Sequence, residues 1–274
     1  HDGRFRMTAQ DTRFNFKIKG PEVWGAKTQG YIEVDFDGSG QDPASTVTNA
    51  VLPRLRHAWF RMDWPGGWQL LMGQYWGVMC DFWPDTVQSG PLFGHGMATQ
   101  RLPQIRVTYK TGPWTFDALA GTPGDETDND TFGVLGAFPG SRPYPGGRAL
   151  MPQFGVQATY EQDLWGKAAF FSRPRGFTAS VSFAVQRTKY DEGIVNPVAP
   201  FFTDGPLNTW GQNGFTAIPV IAQRGQTETP WMVQASMFIP VLPTQTKDLK
   251  NTASVQLQFY VGQGLRAFGN DFLG

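Results

Sequence analysis

The sequence of 274 residues predicts an all-β fold, an antiparallel up-and-down barrel, on three observations. Apolar and polar residues alternate over short stretches that end at Gly, Pro, Asn or Asp, which is typical of strands exposed differently on their two faces. The connections between these stretches are alternately short and long. Charged residues make up only 17% of the chain although aromatic residues reach 14%, so large apolar groups are interspersed with polar ones. We expect one domain over residues 1–274.

The alternation predicts about ten strands in chain order. They cover residues 4–19, 28–37, 54–64, 68–78, 101–111, 114–121, 151–161, 177–185, 231–240 and 252–262. The last is the clearest, because Val255, Leu257 and Phe259 occupy one face while Gln256 and Gln258 occupy the other. A strand of this length can cross a bilayer when tilted.

The connections give this barrel two unlike ends. Residues 20–27, 65–67 and 112–113 are short connections, whereas residues 38–53, 80–100 and 122–150 are long. We expect residues 162–176 on the short side and residues 191–230 on the long side. Outer-membrane barrels have tight periplasmic turns and long external loops, so the pattern predicts a transmembrane barrel. Most of the ten Trp residues lie near predicted strand ends, as in an aromatic belt at a membrane interface.

Composition excludes several classes of function. The chain has 23 Lys and Arg against 23 Asp and Glu, so it lacks the basic surplus of a nucleic-acid-binding protein. The single Cys80 can form no internal disulfide and no thiolate zinc site. No serine lies in a nucleophile-elbow motif and no glycine-rich phosphate loop is present. We therefore expect no metal, no cofactor and no enzymatic activity.

Three segments resemble a known family. Residues 11–20, followed by Gly25 and residues 31–36, look like the early hairpin of Gram-negative porins, and residues 55–60 with 66–76 resemble the next strand pair. Residues 237–243 and the strand after them are similar to the DcaP-like trimeric porins in particular. The resemblance implies a homotrimer in the outer membrane, in contact with lipid and lipopolysaccharide.

The resemblance also implies a barrel of about sixteen strands. The chain begins at His1 without an initiator Met or a signal peptide, so we expect it to be processed or to lack its start. An open sheet of ten strands would leave two unpaired edges in lipid. We therefore expect that a first strand and several closing strands are missing from the chain, or that another chain completes the barrel.

Charged residues suggest how such a pore would filter solutes. The connection 80–100 follows the fourth strand, as the constriction loop of general porins does, and carries Asp81 and Asp85. The wall could present basic residues opposite that loop, namely Arg13, Lys17, Arg61, Arg101 and Arg106. Fixed charges at a constriction determine which ions enter, so we expect passive conduction of small hydrophilic, preferentially anionic solutes. The same charges could instead pair with one another across strands.

Other interpretations remain open. Four carboxylates crowd one loop and could bind calcium, although a solvated acidic loop tip fits better because the EF-hand order is absent: Asp125, Glu126, Asp128 and Asp130. The barrel could be structural and sheathe a partner protein or an electron-transfer chain. The chain could also be a soluble β-sandwich that binds carbohydrate through Trp and Asn.

Overall fold

The computed structural model describes residues 12–38, 52–80, 100–123, 149–171, 173–190, 200–201, 216–217, 226–246 and 248–268. Its strands are β1 (Phe14–Val23), β2 (Ala26–Gly38), β3 (Leu52–Asp63), β4 (Trp68–Trp76), β5 (Arg101–Thr111), β6 (Trp114–Gly121), β7 (Ala149–Gln162), β8 (Ala168–Phe170), β9 (Arg173–Arg175), β10 (Phe177–Tyr190), β11 (Pro200–Phe201), β12 (Thr216–Ala217), β13 (Gln226–Glu228), β14 (Trp231–Leu242) and β15 (Ala253–Gln263). A short 3₁₀ helix, Leu265–Phe268, follows β15.

Ten long strands form one antiparallel sheet in which spatial order equals chain order. The order is β1-β2-β3-β4-β5-β6-β7-β10-β14-β15, and β13 extends the edge at which β14 pairs with β10. Two separate hairpins pair β8 with β9 and β11 with β12. The predicted up-and-down arrangement of about ten strands is confirmed, and β5 and β6 have the predicted bounds. Of the first predicted strand, residues 4–11 lie outside the described residues.

The short connections lie together at one end of the sheet. At this end β1 turns into β2 at Trp24 and Gly25, and β5 turns into β6 after Thr111. The turn between β3 and β4 requires glycine at position 67, where φ is +84° and a Cβ atom would lie 2.3 Å from the Lys110 carbonyl oxygen. Residues 39–51, 81–99 and 124–148 all connect strands at the opposite end, so the predicted alternation of connections is confirmed.

Aromatic side chains line the short-turn end. Trp64 donates from Nε1 to the Trp24 carbonyl at 3.1 Å, which links two neighbouring turns. Further along this end, ring centroids lie 4.6 Å apart for Trp68 and Tyr109 and 5.0 Å apart for Trp114 and Tyr160. Aromatic residues predicted near strand ends are therefore grouped at this end, whereas Trp83 and Trp210 lie outside the described residues.

The sheet curves around its more polar face. Five strand-to-strand steps separate β5 from β15, which in a flat sheet would span about 24 Å. Nevertheless Gln100, just before β5, donates to the carbonyl of Ala267 in the 3₁₀ helix at 3.4 Å. Apolar residues fill the space enclosed by this curve: Val78, Met79, Leu102, Leu119, Ala184, Met232, Ala267 and Phe268.

Candidate functional site

The two faces of the sheet have opposite chemistry. The face that we call the outer face carries large apolar side chains that are 38–69% exposed, among them Phe16, Ile32, Phe60, Met72, Ile105, Phe116, Val156, Val181 and Phe259. The inner face carries buried polar side chains, among them Asp35, His57, Gln104, Thr108, Gln153, Ser180, Ser182, Gln234 and Ser236. A water-soluble protein buries its apolar face, so this distribution is the inverse of the usual one.

The charged groups of the inner face concentrate on β2 and β3. Arg54 makes two hydrogen bonds to Asp35, at 2.9 and 2.7 Å. Arg56 bridges Glu33 at 2.6 Å and Asp35 at 2.7 Å, and its side chain is only 9% exposed. The Tyr31 hydroxyl donates to Glu33 at 2.6 Å. This network compensates buried charges, because every carboxylate in it faces at least one guanidinium.

A β-bulge makes that network possible. Glu33 pairs with His57 and Val34 with Leu55, so Arg56 is an extra residue between them. The bulge lets Arg56 reach Asp35, the carboxylate that Arg54 binds, and Glu33 as well, on a strand that otherwise alternates. On β4, Gln74 donates from Nε2 to the carbonyls of Leu55 at 2.8 Å and Arg56 at 3.1 Å. Gln74 therefore supplies hydrogen bonds to carbonyls that the disrupted ladder would leave unpaired.

Aromatic rings on β2, β3 and β4 form a row beside the ion pairs. Tyr31 stacks on Trp59 with centroids 5.3 Å apart, and Trp59 meets Tyr75 edge-on at 6.2 Å. His57 lies 5.2 Å from Tyr75 and 5.7 Å from Trp76. We call these five residues the aromatic row.

Three of the basic residues predicted to line the pore surround this row. The guanidinium carbon lies 5.4 Å from the Trp59 ring for Arg61 and 4.9 Å from the Trp76 ring for Arg101. That of Arg106 lies 5.5 Å from the Tyr75 ring. These are cation–π distances, and the rings stabilise the positive charges without neutralising them. Arg61 also pairs with Asp63 at 2.9 Å, and Arg106 donates to Gln104 at 3.0 Å and to the Trp76 carbonyl.

The other predicted pore residues are less closely grouped. Lys17 pairs in register with Tyr31 on the edge strand β1 and is exposed, and Arg13 precedes β1 and is exposed as well. Asp81 and Asp85 lie outside the described residues, as do the calcium candidates Asp125, Glu126, Asp128 and Asp130. Within the described ranges, no group of three or more His, Cys, Asp or Glu residues could hold a metal ion.

The root of the predicted constriction loop crosses the inner face. Gly77 donates to the Gln100 carbonyl at 2.8 Å, which joins the two ends of the connection. Beyond Gly77, the carbonyl of Val78 accepts a hydrogen bond from Gln157 of β7 at 3.0 Å. β7 is three strands away from β4, so the chain runs inward over β5 and β6 before the described part ends. The predicted inward direction of this connection is thus present at its root.

Sequence reasoning missed Arg54 and Arg56 as members of the site. The alternation of polar and apolar residues on β2 indicates that Glu33 and Asp35 share its polar face. On β3 the bulge breaks this alternation at the residues that pair with them. The sequence does contain a feature that predicts this network. Two acidic residues lie on one predicted strand, and two basic residues lie at the start of the next, where they can pair across strands. Among the described residues, no helix is long and apolar enough to cross a membrane.

Comparison with solved structures finds the same fold in a known protein. The outer membrane channel DcaP of Acinetobacter baumannii superposes with a TM-score of 0.53 at 22% sequence identity. The match covers 85% of this chain and 49% of that one, so this chain spans about half the length of the channel. No protein-family model matches the sequence, and no curated protein matches it. The predicted DcaP-like barrel fold is confirmed by this similarity.

Proposed function

We propose that the protein is a channel of the Gram-negative outer membrane that passively conducts small hydrophilic solutes with a preference for anions. The observation that carries the proposal is the inverted sheet, with large apolar side chains exposed on its outer face and polar side chains buried on its inner face. Lipid-facing and lumen-facing residues alternate in this way along transmembrane barrel strands. The similarity in fold to an outer membrane channel supports the same assignment. The proposal includes no catalytic reaction.

The alternative of a soluble β-sandwich agrees poorly with this sheet. A sandwich packs the apolar faces of two sheets against each other and exposes their polar faces to water. Here side chains such as Phe116 and Val181 remain exposed while Ser182 and Gln234 are buried. Among the described residues, no feature favours a structural barrel that encloses a partner protein over an open channel.

The two edge strands of the sheet determine what is needed to close the barrel. In the described part of the chain, β1 and β15 each pair on one side only. Unsatisfied backbone groups in hydrocarbon cost several kcal/mol each, so both edges need partners in a membrane. We infer that residues 1–274 form most of one barrel domain and that further strands close it. A homotrimer in contact with lipid and lipopolysaccharide completes the proposal.

We base the anion preference on Arg101, the basic side chain near the aromatic row that no described carboxylate compensates. Arg54 and Arg56 face Glu33 and Asp35, and Arg61 faces Asp63. For Arg101, no described carboxylate lies within ion-pair distance, and its guanidinium rests on the Trp76 ring. Arg106 lies two strand steps from the ion-pair network on β3, with its guanidinium carbon 5.5 Å from the Tyr75 ring. A positive excess on the wall raises the local concentration of anions.

Planar-bilayer recordings test this function. In a potassium chloride gradient, the native protein should conduct, with a reversal potential displaced toward that of chloride. Arg101→Gln and Arg106→Gln should each reduce the displacement, and the double variant should reduce it most. Arg173→Gln is the control, because Arg173 is exposed in the β8–β9 hairpin. Absence of conductance would refute the channel, and an unchanged reversal potential in the double variant would remove both arginines from the filter.

Electrophoresis tests the barrel and its assembly. We expect extraction only with detergent, and faster or slower migration on a denaturing gel without boiling than after it. Chemical cross-linking of intact outer membranes should give a trimer. A protein that stays soluble without detergent and migrates identically before and after boiling would contradict the barrel in lipid.

A further inference from the structure

One connection at the short-turn end is much longer than its neighbours. Trp24 and Gly25 suffice to join β1 to β2 at this end. β7 and β10 also pair directly, with Gln162 opposite Phe177 at their ends, yet residues 163–176 lie between them. Neighbouring antiparallel strands can be joined by two-residue turns, so joining these two strands does not require such a length. The connection contains the β8–β9 hairpin, which we call the mouth hairpin.

The mouth hairpin lies against the inner face of the sheet. On β14, Phe238 follows Gln234 and Ser236 on that face by alternation. The Phe170 ring of β8 meets the Phe238 ring edge-on, with centroids 5.7 Å apart. Ala168 belongs to the same cluster and is as fully buried as Phe238. The hairpin is therefore on the side of the sheet that the channel function assigns to the lumen.

The Phe238 ring breaks the polar pattern of this part of the inner face. Its register partners on the two neighbouring strands are the polar residues Thr178 and Gln256. In an open, water-filled lumen, an aromatic ring at this position would expose its apolar surface to water. Phe238 is nevertheless 0% exposed, because the hairpin packs on it. The sequence of β14 is therefore matched to a hairpin that covers this face.

Arg175 fastens the hairpin to the wall. Its guanidinium carbon lies 4.6 Å from the centroid of the Phe170 ring and 5.8 Å from that of the Phe238 ring. These are cation–π distances. Nε of the same side chain donates to the Thr178 hydroxyl at 3.1 Å. One side chain thus joins the hairpin to both β10 and β14.

The hairpin is also bonded to the end of the sheet beside it. Lys167 and Thr244 exchange two backbone hydrogen bonds, at 2.9 and 2.8 Å. The backbone amide of Ala169 donates to the Thr252 hydroxyl at 3.1 Å. These bonds hold β8 to the segments that follow β14 and precede β15. The hairpin is therefore a fixed layer on the inner face.

The two sides of the hairpin differ in chemistry. Alternation along β8 places Ala169 on the side opposite to Ala168 and Phe170, and its register partner Pro174 shares that side. Both are exposed. Arg173 pairs in register with Phe170 and so belongs to the wall side. In β8 and β9, the side away from the wall therefore carries small side chains without charge.

Resting on the channel function proposed above, we propose that the mouth hairpin is a steric constriction at the short-turn end of the pore. A second layer packed on a sheet takes up about 10 Å of the space in front of it. Because the exposed side of the hairpin is uncharged, it limits the size of solutes and leaves the anion preference to other residues. The connection after β4 enters the lumen from the opposite end, so the two constrictions act in series.

Thiol labelling tests the orientation of the hairpin. Ala169→Cys and the control Thr111→Cys, each combined with Cys80→Ser, are reconstituted in planar bilayers and treated with neutral methanethiosulfonate reagents of increasing size. Thr111 is exposed at the same end of the sheet and shares the parity of Ile105 on the outer face. Each larger reagent should lower the single-channel conductance of Ala169→Cys further and leave that of Thr111→Cys unchanged. Complete labelling of Ala169→Cys without loss of conductance would overturn the constriction.

Release of the hairpin tests the size limit. Phe238→Ser removes the ring on which the hairpin packs, so conductance should rise and larger neutral polyethylene glycols should enter the pore. Met237→Ser is the matched control, because this adjacent residue pairs with Leu257 on the outer face. The same size limit in both variants would overturn the proposal. If Phe238→Ser shows no heat-dependent migration and is therefore unfolded, the labelling of Ala169→Cys, which keeps Phe238, decides alone.

Two results would separate a failure of the constriction from a failure of the channel. If the native protein conducts and prefers anions, but labelling at position 169 leaves the conductance unchanged, the constriction is refuted and the channel stands. If the native protein does not conduct, the channel is refuted and the constriction with it. A reversal potential that shifts when neutral reagents label position 169 would overturn the assignment of a purely steric role.

Discussion

Gln157 of β7 donates a hydrogen bond to the backbone carbonyl of Val78, 3.0 Å away, across the inner faces of two intervening strands. The same amide nitrogen also donates to the Ser182 hydroxyl at 3.0 Å. Gln157 therefore anchors the root of the connection after β4 to the opposite part of the sheet.

Gln157→Ala should release that root. Val78 is 3% exposed, so its carbonyl would lose a buried hydrogen bond at a cost of about 1–3 kcal/mol. We expect a lower temperature for the heat-dependent gel shift and larger current fluctuations in single channels. Gln245→Ala, in the exposed turn after β14, is the control. Current traces as quiet as those of the native protein would show that the anchor does not restrain the connection.

Gly155 on β7 leaves the space that Val78 occupies. A Cβ atom at position 155 would lie 2.7 Å from Cγ2 of Val78 and 3.3 Å from Cγ of Leu119. Valine is stiff at χ1, so Gly155→Ala should destabilise the fold by about 1–3 kcal/mol through overpacking. At Gly30 on β2 the nearest atom would be Cβ of Ile18 at 3.8 Å, so Gly30→Ala should be tolerated. Thermal unfolding in detergent should rank the two variants in this order, and the reverse ranking would contradict the packing.

Arg56 should be the most costly arginine to remove. Arg56→Ala leaves the half-buried Glu33 without its guanidinium partner and removes one of two guanidinium partners from the buried Asp35, and breaking a buried pair typically costs about 3–5 kcal/mol. The pair of Lys167 and Asp163 is 44% and 40% exposed, so Lys167→Ala should cost about 0–1 kcal/mol. Denaturant unfolding in micelles measures both values. Equal losses would mean that the network on β2 and β3 is hydrated.

Val181 tests the environment of the outer face. This side chain is 56% exposed at the centre of β10, so an arginine there would be nearly neutral for a protein in water. In a bilayer, arginine near the midplane of a strand costs about 2–4 kcal/mol. We expect Val181→Arg to lower folding yield and stability in lipid vesicles, whereas Thr246→Arg in an exposed turn should not. Comparable stability of the two variants would place the outer face in water.

The strand order was predictable because its signal is local. Alternation of polar and apolar residues located all ten long strands, and the tight turns at residues 65–67 and 112–113 fixed which of them are neighbours. The curvature of the sheet was not predictable. It depends on contacts between residues far apart in the chain, such as Gln100 with Ala267.

The site was predicted only in part. Arg61 shares the parity of Trp59 on β3 and Arg106 shares that of Gln104 on β5, so alternation placed these two on the inner face, whereas Arg101 has the opposite parity on β5 and its position beside Trp76 did not follow from alternation. The network around Arg56 was not predicted, because a bulge shifts the alternation by one residue. The strand propensities of the residues do not reveal where a bulge occurs. The aromatic row was not predicted for a different reason. Aromatic residues near strand ends indicated a membrane interface, and only the register between β3 and β4 shows that Trp59 and Tyr75 face inward together.

The bulge at Arg56 has a consequence for how the sequence can change over evolution. Residues before and after it have opposite parity, so deletion of this single residue would turn either residues 52–55 or residues 57–63 inside out. Gln74 would then face a regular ladder, in which the carbonyl of Arg56 is gone and that of Leu55 no longer needs its amide. The extra residue and the glutamine on the neighbouring strand therefore form a unit that must be gained or lost together. We expect relatives that lack an amide at position 74 to lack the inserted residue as well.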